Sequence, residues 1–241
     1  QTAMARLPVL MYHNVAQTES AGLTISKKNL DAQFKYLSEN GYETFHFSEL
    51  EGLKQSNSLP KKSVIITFDD VYVSQVKWAY PLLKKYNLKA SFFIPFAYVG
   101  GVDDWNTAKE PIMSLDQLKS LDSSIIELGL HSYAHKNYTK LTPNEVQEDF
   151  NLCREFVNAN QLNVQNILAY PYGKFPKNNP GKTLFFKILK ANNIAYALRI
   201  GNRVNSFPLK HPYEVQRIDI KGEDSFLKFK LKLRLGKLKL F

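Results

Sequence analysis

The sequence predicts a single α/β domain whose parallel sheet closes, or nearly closes, into a barrel. Two observations carry that expectation. Apolar runs rich in β-branched and aromatic residues alternate with segments of helical period along most of the chain. No break in composition interrupts the alternation, and 241 residues suffice for one large domain with a sizeable core.

The strand-like runs are residues 7–13, 42–47, 63–68, 90–96, 125–130, 166–170, 194–200 and 215–220. Helical segments lie at 28–40, 48–55, 74–87, 114–121, 143–159 and 182–192. Thr142, Pro143 and Glu145 form a capping box with Pro at the first helical position, where its missing N–H costs nothing. Ser26 and Ser114 are N-caps of the same kind. In a closed α/β sheet, chemistry gathers where strands end and loops begin, so reactive residues are sought at strand C-termini.

Composition narrows the classes. Hydrophobic residues make up 44% of the chain, which argues against a disordered or fibrous protein. The single cysteine, Cys153, excludes an intrachain disulfide framework and a multi-cysteine metal site, and reads as a small buried hydrophobe in a helix. No stretch approaches the ~18 apolar residues of a membrane span. The start QTAMARLPVL lacks the basic-then-apolar pattern of a secretion leader, and residues 1–5 read as the remainder after leader removal or as a cloning remnant.

Three constellations carry chemistry. Val64 to Phe68 is a buried strand ending in Asp69 and Asp70. One such Asp usually caps a helix; two in succession raise one pKa unless a cation is near, which suggests a metal or an acid/base role. His131 and His135 follow another strand at a spacing that puts both imidazoles on one side of a helical turn, able to converge on one ion. One carboxylate and two imidazoles make a three-ligand site with positions left open, the mark of catalytic zinc, which brings the pKa of bound water to about 7. The second carboxylate is then free to take a proton. Ala169-Tyr170-Pro171-Tyr172-Gly173 specifies a tight turn after a third strand and can aim a backbone N–H at a developing oxyanion.

In this order and spacing the three pieces resemble the polysaccharide deacetylase family, whose domain is called the NodB homology domain or carbohydrate esterase family 4. Thr67-Phe68-Asp69-Asp70 looks like its TFDDG motif, His131 to His135 like H-[ST]-x-x-H, and Tyr170 to Gly173 like the core of R-x-P-x-G. Leu10 to Val15 and Tyr213 to Ile218 look like the subgroup acting on poly-N-acetylglucosamine and related bacterial surface glycans. The resemblance covers roughly residues 7–220. It implies a distorted (β/α)7 barrel and a metal-dependent N-deacetylase acting on an amino sugar of a surface glycan or its lipid-linked precursor. It assigns Asp69 as general base, Asp70, His131 and His135 to one divalent metal, and the Tyr172 N–H to the oxyanion hole. Zn²⁺ is the expected metal, with Co²⁺, Ni²⁺ or Mn²⁺ as alternatives.

Three departures from the family pattern mark this chain. Val71 stands where Gly usually follows the paired Asp, so that turn is either built differently or strained. Ala169 replaces the Arg that holds the base; Arg199, Arg203 and Arg217 are candidates to replace it, and Arg217 is chosen. The late L-x-H motif, whose His protonates the departing amine, is absent; His13, at a strand end, is placed either in the pocket or in a structural role, and a protonated Asp69 is the other donor. Pro171, Trp105 and Arg217 join His13 as candidate substrate-pocket residues, Trp105 as a sugar-stacking ring or a cover for the barrel rim. Asp103 and Asp104 read as solvent-facing or turn-forming.

Residues 221–241 are set apart as a basic tail, carrying seven Lys/Arg against Glu223 and Asp224. From Phe226 to Leu235 apolar and basic residues alternate with near-strict period two, which fits an amphipathic strand or an interfacial segment, whereas a helix would scatter the charges. The tail is read either as an edge strand or arm packed on the barrel or a second subunit, or as a segment on an anionic membrane. Nucleic acid is disfavoured, since no aromatic-basic recognition motif accompanies it. The expected location is the bacterial cell envelope, peripheral to the membrane, with the side open. Two other functions fit the residues: a same-fold hydrolase of another small amide or acyl group, and a carbohydrate- or membrane-binding module with weakened catalysis.

Overall fold

Strands covered on both faces bury every side chain, and in the computed structural model, which describes residues 4–238, the central strands do so. The first half of the chain holds β1 (Ala5–Leu7), β2 (Val9–Tyr12), β3 (Asn14–Ala16), β4 (Thr24–Ser26), α1 (Lys27–Glu39), β5 (Glu43–Thr44), α2 (Leu50–Ser56), β6 (Ser63–Asp69), α3 (Tyr80–Lys85), β7 (Ala90–Ile94) and α4 (Leu115–Ser120). The second half holds β8 (Ile126–Leu130), α5 (Pro143–Asn160), β9 (Ile167–Ala169), α6 (Gly181–Ala191), β10 (Tyr196–Leu198), β11 (Asn205–Phe207), β12 (Ile218–Asp219) and α7 (Phe226–Leu235). The main sheet runs β10-β9-β8-β7-β6-β2-β12, all parallel. A parallel bridge between Leu198 and Val215 joins its two edges, so the curled sheet closes through a thin seam: the distorted barrel expected from the sequence.

Period two sets what the barrel holds. On β6, Val64, Ile66 and Phe68 pack outward against the helices, while Ile65 belongs to the inner cluster with Val9, Phe93 and Ile167. Thr67 and Asp69 therefore share the inward phase of Ile65. Gly129 on β8 makes the interior possible, because a Cβ there would lie 2.6 Å from the Phe93 ring and 2.9 Å from the Ile167 carbonyl.

The three helix starts behave as their residues require. Thr142 Oγ1 accepts from the Glu145 N–H at 3.2 Å while Glu145 Oε1 accepts from the Thr142 N–H at 3.0 Å. Ser114 forms the same reciprocal pair with Gln117, and Ser26 accepts from the Asn29 N–H. Several strand-like runs shorten: 42–47 to Glu43–Thr44 and 215–220 to Ile218–Asp219. His46 lies outside any strand and precedes a 3₁₀ turn. The segment expected as one helix over 74–87 divides into a π turn, Gln75–Ala79, and α3.

The tail departs from the strand expectation. Phe226–Leu235 is α7, capped by Ser225, whose side chain accepts from the Lys228 N–H. Leu, Lys and Arg are strong helix formers, and α7 lies against α1 with no sheet ladder to hold it as a strand. Its inner face carries Phe229 and Leu233, and also Lys232, whose ammonium is buried against Asp224 and the Asp219 carbonyl at 2.7 Å. Residues 239–241, the end of the tail, lie outside the described residues.

Candidate active site and metal centre

Because β2, β6 and β8 are parallel, their C-terminal ends share one rim, and the inward-phase residues there are His13, Asp69 and His131. Asp69 is 2% exposed and receives both arms of Arg217, Nη1 to Oδ1 at 2.7 Å and Nη2 to Oδ2 at 2.9 Å. Arg217, fully buried just before β12, also donates to Thr67 Oγ1 and the Arg199 carbonyl. Burial by itself would raise the pKa of Asp69. The guanidinium first, then His131 and His13, outweigh it and hold the carboxyl below its ordinary value. His13 Nε2 lies 3.5 Å from Asp69 Oδ2.

Asp70 turns the other way. Its Oδ1 sits 3.2 Å from His131 Nε2 and 3.3 Å from His135 Nε2. His131 Nδ1 is 2.7 Å from the Ala169 carbonyl, to which it donates; in the neutral ring this leaves Nε2 as a bare acceptor. Two imidazole lone pairs and a carboxylate oxygen, all within 4.8 Å of one another, thus point at one space. Among the described residues, Asp70 Oδ1 and His135 Nδ1 are buried without a hydrogen-bond partner. Acceptors that converge in this way suit a cation between them, so the residues fit a divalent metal with one oxygen and two nitrogen ligands. Despite burial, the imidazoles beside Asp70 hold its carboxyl far below the ordinary range. Burial lowers the pKa of His135, while at His131 the two aspartates prevail over burial and raise it.

The two imidazoles meet by a different route from the helical turn the spacing suggests. Residues 131–135 form an irregular loop with positive φ at Ser132 (63°) and His135 (54°), values that a right-handed helix does not contain. Asp149 on α5 pins this loop, accepting from Ser132 Oγ at 2.8 Å, the Tyr133 N–H at 2.9 Å and Tyr138 OH at 2.6 Å. Sequence reasoning missed Asp149. Its signal was a carboxylate inside the buried stripe Val146, Phe150 and Cys153 of an otherwise amphipathic helix. Gln75 was missed too: wholly buried in the π turn, it donates to the carbonyls of His13 (2.9 Å) and Asp69 (2.8 Å) and fixes one against the other.

The Val71 departure is a strained turn. Asp70 and Val71 have φ of 80° and 45°, and the Val71 carbonyl accepts from the Met113 N–H at 2.9 Å. A β-branched residue there costs about 1–3 kcal/mol, yet its fully buried side chain returns about 1.5–3 kcal/mol. Val71→Gly is therefore expected to leave the unfolding free energy within about 1 kcal/mol of the parent in urea titration. A loss well beyond that would show the turn to be unstrained.

Trp105 stacks on His135, ring centroids 3.9 Å apart and planes at 5°, so the indole forms a wall of the site. Asp103 is buried rather than solvent-facing: it accepts from Tyr72 OH and Asn106 and caps the Glu110 N–H, holding the loop that carries Trp105. Asp104 is exposed. On the other side Pro171 is buried in a 3₁₀ turn and Tyr172, at φ 60°, sets its ring edge-on to His135 at 4.8 Å. The N–H groups of Gly173 and Lys174 close onto Tyr170 and Pro171 within that turn. Ala169 supplies only its carbonyl to His131; the arginine beside Asp69 comes from residue 217 instead.

The sequence profile of the polysaccharide deacetylase family matches residues 56–184, a stretch that contains Asp69, Asp70, both histidines and the Pro171 turn. The chain belongs to this family. Among its polysaccharide deacetylase relatives is the Bacillus subtilis (strain 168) protein YxkH, 30% identical over 172 residues, 71% of this chain. That alignment spans 58% of the Bacillus protein's length. A poly-β-1,6-N-acetyl-D-glucosamine N-deacetylase of Staphylococcus aureus is 25% identical over 225 residues, covering 90% of this chain and 74% of the relative. The fold is shared with the Streptococcus pyogenes deacetylase PplD (TM-score 0.79, 21% identity, 96% of this chain and 99% of that one). It is shared also with IcaB from Ammonifex degensii (TM-score 0.76, 24% identity, 95% of this chain and 97% of that one).

Proposed function

We propose that this polysaccharide deacetylase removes the acetyl group from an N-acetylated amino sugar of a bacterial surface glycan in a metal-dependent reaction. The observation that carries the proposal is the pairing of an Arg-locked Asp69 with three convergent acceptors, Asp70 Oδ1, His131 Nε2 and His135 Nε2. A divalent cation on those three, Zn²⁺ by the ligand set, supplies Lewis-acid polarisation of the acetamide carbonyl and acidifies the attacking water.

The chain's own residues do the rest. Asp69, kept ionised by Arg217, takes the proton of the attacking water at a carboxylate oxygen. Water oxygen bonds to the carbonyl carbon, and the Tyr172 N–H faces the developing oxyanion. As the C–N bond breaks, the amine nitrogen takes a proton from the Asp69–His13 pair, whose atoms are 3.5 Å apart. Acetate and a free amine leave. Trp105 gives the sugar ring an apolar wall while holding His135 in plane.

The test is acetate release from N-acetylglucosamine oligomers before and after chelation. Chelated protein is expected to release no acetate and to unfold at lower temperature, and Zn²⁺ at 100 times its Kd is expected to restore release and about 2.7 kcal/mol of stability. Release undiminished by chelation would sink the reading.

A further inference from the structure

Helix α7 buries Phe229 and Leu233 but leaves three other large apolar residues exposed. Leu227, Leu235 and Phe226 are 62%, 55% and 45% exposed, interspersed with Lys228, Lys230 and Arg234. At its C-terminal end lies a pocket of about 370 Å³ lined by Arg6, Lys61, Lys62 and Arg234 together with Tyr42, and among the described residues no carboxylate lines it. Exposed large apolar groups among clustered cations suit neither a neutral glycan nor plain solvent; they match the boundary of an anionic bilayer, which offers acyl chains and phosphates at the same depth. Among the described residues no helix is long and apolar enough to cross a membrane.

We infer that α7 and the basic pocket beside it dock this protein on an anionic lipid surface, with the metal centre facing away from it. The orientation follows from β6: Ser63, its first residue, lines the pocket, and Asp69, its last, belongs to the site. Six strand steps separate them, about 20 Å. Resting on the deacetylase reading, this selects the substrate: the site reaches glycan chains that project from the surface, not a lipid-linked sugar held at headgroup level.

The test uses the full chain, sedimented with vesicles of phosphatidylcholine alone or mixed with phosphatidylglycerol. Binding to the anionic vesicles only is expected, released in ~1 M salt, where the screening length is ~3 Å. Charge reversal of Lys61 and Lys62 to Glu is expected to weaken association at least about 25-fold, fivefold for each cation lost. Leu227→Glu with Leu235→Glu is expected to abolish it, with the thermal unfolding midpoint unchanged because both positions are exposed. Equal sedimentation with neutral vesicles, variants that bind as the parent does, or a parent dimer dissolved by the leucine substitutions would each overturn the proposal, the last by making the face an interface between copies.

Brominated lipid reads the orientation. Trp introduced as Leu227→Trp is expected to be quenched, whereas Trp78 and Trp105, set in segments that follow strand C-termini, are not; their quenching would overturn it. All binding arms are repeated with Asp69→Asn and without substrate, so they stand or fall apart from the deacetylase reading. On vesicles, acetate is expected from added oligomer and not from an embedded lipid-linked N-acetyl sugar, and release from the latter would overturn the substrate assignment.

Discussion

Replacing Asp69 with Asn is expected to lower acetate release by about 10²–10⁴ while cation binding at Asp70, His131 and His135 survives. The amide keeps the shape of the carboxylate but takes no proton from water. Its oxygen still accepts one guanidinium arm of Arg217, leaving the other unpaired. Calorimetric titration with Zn²⁺ separates the two roles, because Asp70 Oδ1 and the two Nε2 atoms form the cluster without Asp69. A variant that kept release within tenfold of the parent would remove Asp69 as base and shift that task to His13.

Arg217→Ala is expected to lower unfolding free energy by about 3–5 kcal/mol, the usual cost of breaking a buried ion pair by removing one partner. Its pH dependence identifies the cause. In the parent, the pKa of Asp69 is depressed, so its contribution to stability is full above the unfolded value of about 3.9 and is lost as pH falls through the folded value. Without the guanidinium, the burial that already opposes ionisation has its largest counterweight removed, and the pKa of Asp69 rises. The variant's deficit should then shrink on acidification, and the acid limb of its rate profile should move to higher pH. Urea titrations across pH and a rate profile check this; a deficit constant between neutral and acid pH would show that Arg217 acts through packing alone. Arg217→Lys should recover part of the stability but not the bidentate geometry.

Much of the site was legible because a parallel sheet converts sequence position into place. Period two assigns each strand residue a face, and parallel order puts all C-terminal ends on one rim, so Asp69, Asp70, His131 and His13 could be located from the apolar runs before them. The motifs also singled out the Pro171–Tyr172 turn, whose tyrosine ring the fold sets edge-on to His135. In the site loop and in the tail, local pattern gave the wrong backbone conformation. The His131–His135 spacing suggested a helical turn, yet Asp149, reached only through the fold, holds it as a loop with two positive φ values. The alternation in α7 suggested a strand, yet burial of Lys232 against Asp224 made an inner face that no hydropathy pattern contains.

The sequence by itself determined the strand and helix alternation, the helix caps and the reactive residues at strand ends, because each depends on side chains within a few positions of one another. Only the tertiary structure decided that Gln75 locks His13 to Asp69 and that Trp105 stacks on His135, and it set Arg217, chosen from the sequence among three arginines, against Asp69. Those contacts join residues from 6 to 148 positions apart. Arg217 reaches Asp69 because β12 pairs beside β2, the neighbour of β6, and the pairing of strands so far apart in the chain is set by the curl of the whole sheet.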